Sequence, residues 1–237
     1  MKHSVLILAF ALSVSLMTSC KFFSVSDSGN IKFYSGDSVT ASGTVESRKI
    51  AVADFNAIDV GSSCKVTYVP GECGLEIRTH DNLFDRIETI VENGVLKIRT
   101  NFSHVRKVDT LEIFVQSPYL NSVCASGAVE FNAENGLTAQ DDFGLEVSGA
   151  GDVSIRKLKA DDVDVSMSGA AKLDFAEIDC RYLKFDISGA GDGNVTGKAA
   201  SADVSISGAG KIDLSDLECE DVGIFTSGAG KVIGPKE

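Results

Sequence analysis

Residues that could perform catalysis or bind a metal are sparse along this 237-residue sequence. Apart from His3, the histidines are His80 and His104, and neither has a neighbour at the spacing of a metal site. The sequence contains no Gly-x-Ser-x-Gly motif, so its serines lack the context of a catalytic nucleophile. It also contains no Cys-x-x-Cys motif. We therefore predict a non-enzymatic protein with no catalytic residue, no metal site and no cofactor.

Acidic residues support the one enzymatic alternative. They recur at outward positions of alternating segments: Asp152, Asp164, Asp174, Asp186, Asp203 and Asp213. Three bases, Arg156, Lys157 and Lys159, share one bend, and Asp192-Gly193-Asn194 is similar to the start of a calcium loop without the rest of one. Polysaccharide lyases set such acids and a base on one face of a parallel β-helix, with both gathered around a cleft. Charged outward positions are equally expected on any solvent-facing strand.

The first 20 residues predict export and lipidation. Lys2 and His3 precede an apolar run from Val5 to Leu16, which is shorter than the roughly 20 residues of a membrane-spanning helix. Small residues then lead to Cys20 and resemble the lipobox of bacterial lipoproteins, although Met17 stands where leucine is usual. We expect a signal peptide over residues 1–19 and a lipid on Cys20. The partner would be a membrane, reached through the lipid anchor.

Charge and composition divide the remaining chain into a tether and one domain. Residues 20–48 are rich in Ser, Gly and Asp and predict a flexible tether, with a short strand around Ile31–Tyr34 as the alternative. Residues 49–237 are long enough for one domain with a continuous core. The net charge of −12 argues against nucleic acid as a partner. We expect the protein in the bacterial cell envelope, in the outer membrane, with the periplasmic and surface sides both open.

Alternating apolar and polar residues predict an all-β domain from residue 51 onward. The alternation is clear over residues 51–60, 95–98 and 111–115. Asn93-Gly94 separates two such segments and is typical of a two-residue β-hairpin turn. Residues 81–90 also admit a short helix, with the strand over 87–91 favoured.

The second half of the chain is built from repeats. Six copies begin with Ser-Gly-Ala, at Ser126, Ser148, Ser168, Ser188, Ser207 and Ser227, and their spacings are 22, 20, 20, 19 and 20 residues. A constant period near 20 is typical of a solenoid. We therefore predict a single parallel β-helix with coils of about 20 residues, whose less regular N-terminal coils include the hairpin. Stacked copies would align inward residues in columns, one of them Val147, Met167, Ile187, Ile206 and Thr226.

The Ser-Gly-Ala-Gly element itself is interpreted as a corner of the stack. A phosphate-binding loop occurs once, at a helix start, whereas this element recurs between strands. Corners need glycine where φ is positive or where backbones approach closely, and we expect positive φ at Gly149, Gly189 and Gly208. Counting from each Ser also places Cys180, Ala200 and Cys219 in one column, with the two cysteines two coils apart and too distant for a disulfide.

A resemblance to a known family rests on these motifs. Repeated Ser-Gly-Ala-Gly, the opening segment Phe55–Val60 and the step Pro118-Tyr119-Leu120 are similar to the putative auto-transporter adhesin, head GIN domain family, over about residues 50–235. The resemblance implies an exported, often lipid-anchored β-helical domain. It favours a binding or adhesion module whose ligand would be a surface glycan or a protein. A purely structural envelope protein is the third alternative.

Overall fold

The structure is a computed structural model that describes residues 38–102, the backbone of 104–106, and residues 111–235. The signal peptide expected over residues 1–19 and the expected lipidation site Cys20 lie outside these residues. Strands begin at Ser38, so residues 38–48, which the sequence assigned to the tether, contain β1 and part of β2. No helix in the described part of the chain is both long and apolar enough to cross a membrane.

Strands dominate the described residues. They are β1 Ser38–Thr40, β2 Val45–Ile50, β3 Ala57–Pro70, β4 Gly74–His80, β5 Ile87–Glu92, β6 Val95–Thr100, β7 His104–Arg106, β8 Glu112–Ser117, β9 Ser122–Ala133, β10 Leu137–Thr138, β11 Phe143–Ile155, β12 Leu158–Lys159, β13 Asp162–Gly208, β14 Lys211–Asp213, β15 Leu217–Gly228 and β16 Lys231–Ile233. One short 3-10 helix, Asp81–Arg86, lies between β4 and β5. The all-β composition agrees with the alternation in the sequence.

The predicted single parallel β-helix is wrong. Fourteen strands form one large mixed sheet that does not close, and β1 and β7 form a separate two-stranded sheet. Within the large sheet β4 runs antiparallel to both β2 and β8, and β5 runs antiparallel to β6. The physical reason is chain reversal at short turns: β6 runs back along β5, and β4 reverses after β3 but then pairs with β8 and β2 instead of β3. At the Asn93-Gly94 turn both residues have positive φ, 52° and 77°, and the expected hairpin forms.

Neighbouring repeat copies do pair in parallel, with like residues opposite one another. Ser148 pairs with Ser126 on one side and with Ser168 on the other. The inward residues of successive copies therefore contact each other across the strands, and Val147, Met167, Ile187 and Ile206 are each no more than 2% exposed. Each such side chain stabilises the fold by about 1.5–3 kcal/mol when fully buried. The last member of the column, Thr226, is exposed.

One hydrophobic core runs the length of the sheet. It extends from Phe55 to Leu217, and the antiparallel strand β4 contributes Leu75 and Ile77 to it. The aromatic rings of Phe175 and Phe185 pack in its centre, 6.4 Å apart. Because the core is continuous, segments distant in sequence are fixed relative to each other at the end where the repeats begin.

Candidate ligand-binding groove

A groove of about 630 Å³ lies where the N-terminal strands meet the first repeat. Five segments contribute to it: the residues before β3, the β3–β4 turn, the β5–β6 turn, the step between β8 and β9, and the loop after β10. The lining residues are Asp54, Phe55, Asn56, Glu72, Cys73, Gly94, Pro118, Tyr119 and Gln140. This volume is within the range of sites that bind small organic ligands.

Backbone hydrogen bonds fix the segment that carries Asn56. The Gly94 carbonyl accepts from the backbone N–H of Asn56 at 3.0 Å and of Ala57 at 3.2 Å, and the Asn56 carbonyl accepts from Asn121 N–H at 2.7 Å. The hairpin turn therefore holds the entrance to β3 against the strand that opens the repeats. Gln140 is attached to the same frame, because its N–H donates to Asn121 Oδ1 at 3.0 Å.

The step between β8 and β9 holds Tyr119 out into the groove. Ser117 is fully buried, and its Oγ donates to the Tyr119 carbonyl at 2.7 Å. Beneath it the Tyr68 hydroxyl donates to the Ser117 carbonyl at 2.9 Å. Burial raises the pKa of the Tyr68 phenol, so it stays a protonated donor at neutral pH. These bonds leave the Tyr119 side chain 44% exposed, unusual for so large an apolar ring.

The floor of the groove is apolar. Phe55 is almost fully buried there, and the half-buried Cys73 thiol lies 3.6 Å from the Phe55 carbonyl, within reach of a weak S–H hydrogen bond. The rim is polar, with the amides of Asn56 and Gln140 and the carboxylates of Asp54 and Glu72.

The lining determines which ligand the groove can accept. Among its nine residues there is no Lys, Arg or His, so neither a general base of that type nor a cation for an anionic ligand is present. Two carboxylates at the rim repel anions. Amides, carboxylates and an exposed aromatic ring suit a ligand that has hydroxyl groups and one apolar face.

The match with a known family is long and continuous. Residues 54–233 match the family model described as "Putative auto-transporter adhesin, head GIN domain", a span that contains the groove and all six Ser-Gly-Ala elements. The chain belongs to this head GIN domain family.

Solved structures of other proteins share the fold. A putative adhesin from Parabacteroides distasonis is similar with a TM-score of 0.75 and 24% identity, over 83% of this chain and 84% of that one. A putative adhesin from Bacteroides fragilis gives 0.66 and 23%, over 84% of this chain and 100% of that one. A "Putative lipid binding protein" from P. distasonis gives 0.56 and 19%, over 85% and 100%. No curated protein is detectably similar in sequence.

The outward acids singled out from the sequence lie outside this groove. Five of the six have partners along the repeats, whereas Asp152 lines a second, smaller groove of about 420 Å³ with Lys65 and Glu130. Lys184 Nζ lies 2.6 Å from Asp186 and 3.6 Å from Asp164. The Tyr182 hydroxyl donates to Asp203 at 2.6 Å. Among the bases of the single bend, Lys157 pairs with Glu177 of the next copy at 2.9 Å. The contacts of Lys184 with Asp164, of Tyr182 with Asp203 and of Lys157 with Glu177 link neighbouring copies, and none of these residues lines the groove.

The remaining sequence-derived candidates are also placed elsewhere. Asp192 Oδ1 accepts from Lys211 N–H at 3.1 Å, and Asn194 donates to Asp174 at 3.1 Å, so this triplet links three copies. His80 lies at the end of β4, 3.4 Å from the Gly43 carbonyl. The His104 side chain is outside the described part of the structure. Within that part, no three His, Cys, Asp or Glu residues could together hold a metal ion.

The structure requires glycine at the corners, as expected, but at two of the three positions the reason differs from the predicted positive φ. Gly149 has the expected positive φ of 128°, whereas Gly189 and Gly208 are not among the positive-φ residues. A Cβ on either of these two would collide with the carbonyl oxygen of the glycine one copy earlier. Close backbone approach, rather than a left-handed conformation, therefore requires glycine there.

The groove was not predicted from the sequence. Pro118-Tyr119 and Asn93-Gly94 were noticed as a family feature and as a turn, and both contribute to its wall. Cys73 and Gln140 carried no signal, and Asn56 was noticed only as part of the opening segment Phe55–Val60, because their proximity depends on strands paired across the sheet.

Proposed function

We propose that this head GIN domain protein is a non-enzymatic envelope lipoprotein that binds a saccharide in the groove beside Tyr119. The observation that carries the proposal is the exposed Tyr119 ring, whose backbone carbonyl accepts a hydrogen bond from the buried Ser117 and which lines the groove together with the Asn56 and Gln140 amides. A sugar ring has an apolar face that can stack on such an aromatic ring and hydroxyl groups that can bond the amides.

The charge of the groove favours a neutral glycan over a lipid. One structural neighbour is described as a putative lipid binding protein, and the Phe55 floor would accept a short alkyl chain. A fatty acid or phospholipid would also bring an anionic headgroup to Asp54 and Glu72, with no cation among the lining residues to balance it. A neutral saccharide carries no such penalty.

The groove also argues against the lyase alternative. Such an enzyme sets a basic residue beside its acids in one cleft, whereas the lining of this groove contains no Lys, Arg or His. The bases of the 156–159 bend lie on the repeats, where Lys157 is paired with Glu177.

Anchoring through Cys20 is the second part of the proposal. The Ser19-Cys20 sequence after a short apolar run supports cleavage and lipidation, and the membership of an adhesin family supports export. A lipid anchor would hold the groove in the cell envelope, where glycans are abundant.

The proposal can be tested with the full chain, purified in detergent, on an array of neutral and acidic glycans. We expect binding to neutral glycans that falls at least tenfold in Tyr119→Ala, a loss typical of an aromatic anchor. Phe114→Ala is the matched control, because Phe114 is a comparably exposed ring on β8 outside the groove. Binding that persists unchanged in Tyr119→Ala, or an absence of binding to every neutral glycan, would contradict the proposal.

A further inference from the structure

In the last repeat copy, the inward-facing apolar residue is exposed to solvent instead of being covered by a further copy. Ile224 of β15 occupies the position that Val165, Phe185 and Val204 occupy in earlier copies. Those three side chains are at most 1% exposed, whereas Ile224 is 50% exposed. Phe225, which points to the other face, is 66% exposed. An apolar column without a polar terminal copy is a liability for a stacked fold, because water reaches its end.

The backbone of β15 is also unpartnered on one side. Among the described strands β15 pairs with β13 alone, so the hydrogen-bonding groups along its other edge face outward. The opposite end of the large sheet is protected by charge: β2 has the sequence Val45-Glu46-Ser47-Arg48-Lys49-Ile50. There Arg48 pairs with Glu46 at 3.2 Å and stacks over the Phe84 ring at 4.0 Å. The two ends therefore differ: β2 presents charged side chains, whereas β15 presents the exposed apolar side chains Ile224 and Phe225.

We propose that β15 binds β15 of a second copy of this chain, antiparallel and about a two-fold axis at Ile224. A two-fold pairing satisfies both open edges at once and closes the assembly as a dimer. It also joins the two exposed core columns, because residues directly opposite in an antiparallel pair share a face.

The sequence of β15 is self-complementary in this register. Ile224 lies opposite the partner's Ile224, and Val222 lies opposite the partner's Thr226 on the same inward face. On the outward face Phe225 lies opposite the partner's Gly223, where its ring covers the space that a glycine leaves on a strand. Each copy contributes this contact once, so both exposed rings are covered.

Charge favours the same register. Asp221 lies opposite the partner's Ser227 and Glu220 opposite the partner's Gly228, so no acid of β15 faces another acid across the pair. Head-to-tail pairing of β15 with β2 of the next copy is the alternative, and it would leave an open edge at each end of a growing filament. It would also place Phe225 against an edge whose Arg48 already has an acidic and an aromatic partner.

A cysteine placed on the axis tests the register. In Ile224→Cys the two new thiols would lie opposite each other, with Cα atoms about 4.5–5.5 Å apart, a separation that a disulfide spans. We expect mild oxidation of cell envelopes that contain the full chain to give a disulfide dimer, with residue 224 linked to residue 224 by mass spectrometry. Val45→Cys on β2 is the matched control and should stay monomeric, as should the wild-type chain. Cross-linking between Val45→Cys and Ile224→Cys chains would establish head-to-tail pairing and overturn the proposal.

A second variant tests the contact without a new thiol. We expect Phe225→Glu to raise the dissociation constant of the dimer about tenfold or more, measured by sedimentation equilibrium of the full chain in detergent. Phe114→Glu should leave it unchanged, and circular dichroism should show both variants folded because both rings are solvent-exposed. A wild-type chain that is monomeric throughout, or a β15 edge whose amides are protected from exchange in a monomer, would overturn the proposal. The second of these results would assign the edge to another segment of the same chain.

Discussion

The carbonyl oxygen of Gly169 occupies the space where a Cβ of Gly189 would stand, so these two glycines of successive copies meet without room for a side chain. The same contact recurs one copy later, where Gly208 lies against the Gly189 carbonyl. The corner is therefore a place where backbones touch directly, and its composition follows from that contact.

The first prediction follows from this contact. Gly189→Ala should lower the free energy of unfolding by about 1–3 kcal/mol, because the colliding atom is backbone and cannot turn away. Gly151→Ala is the matched control. Its Cβ would come within 3 Å of the Val147 side chain alone, at 2.6 Å, and the equivalent residue in the next copy is Ala171. Urea denaturation compares the two, and equal losses would mean that the backbone contact is not the cause.

The second prediction concerns the cysteine column. Cys180 and Cys219 are both free, as expected from their separation by two copies. The residue paired with Cys219 is Ala199, so the placement of Ala200 there was wrong by one position. Ala199→Cys should form a disulfide with Cys219 under mild oxidation, because neighbouring strands lie about 4.8 Å apart. Ala200→Cys should not, and peptide mapping without reduction would reveal the reverse result.

The third prediction uses the Tyr182 hydroxyl. Its hydrogen bond to Asp203, with burial, raises the pKa of Tyr182 from 10.0 to about 12. A raised pKa in the folded state means that the associated stability is fully present below pH 10 and is lost as the pH rises towards 12. Absorbance at 295 nm should show Tyr182 and the buried Tyr68 both titrating later than an ordinary tyrosine, with the Tyr182 step assigned by its loss in Tyr182→Phe. Asp203→Asn should move that step to lower pH, and an unmoved step would exclude the hydrogen bond as the cause.

The fourth prediction concerns thiol reactivity. Burial raises the pKa of Cys64 to about 12, so at pH 8 only roughly one molecule in ten thousand carries its thiolate. Cys73 is half-buried at the groove. Iodoacetamide should therefore modify Cys73 in the native protein and Cys64 only after unfolding, as mass spectrometry can follow. Modification of Cys64 at the rate of Cys73 would show that its surroundings open to water.

The fifth prediction concerns the anchor. Cys20→Ala should either release the protein from the membrane fraction or leave the precursor uncleaved, because the acylated sulfur would be absent. Cys73→Ala is the control and should be processed and retained normally. Membrane retention of a normally cleaved Cys20→Ala chain would exclude lipidation at this residue.

Much of the local structure could be predicted from the sequence by itself. Alternation with a period of two identified the inward column through Val147 and Met167, and Asn93-Gly94 identified the hairpin. Both signals are local: a side chain on a strand faces the core or the solvent according to its parity, and a two-residue turn needs residues that accept positive φ. The spacing of Ser-Gly-Ala likewise determined the pairing at the corners, where Ser148 lies between Ser126 and Ser168.

Only the tertiary structure decided how the strands join into one mixed sheet and where the groove lies. Nothing local distinguishes a strand that continues a parallel stack from β4, which runs against its neighbours, because alternation is the same in both directions. The strand register near Cys219 could not be predicted from the sequence either. A turn from Leu214 to Leu217 holds one extra residue, and it shifts the residue paired with Cys219 to Ala199. Asn56, Cys73 and Tyr119 meet at the groove because hydrogen bonds join segments far apart in the chain, and such contacts leave no periodic trace in the sequence.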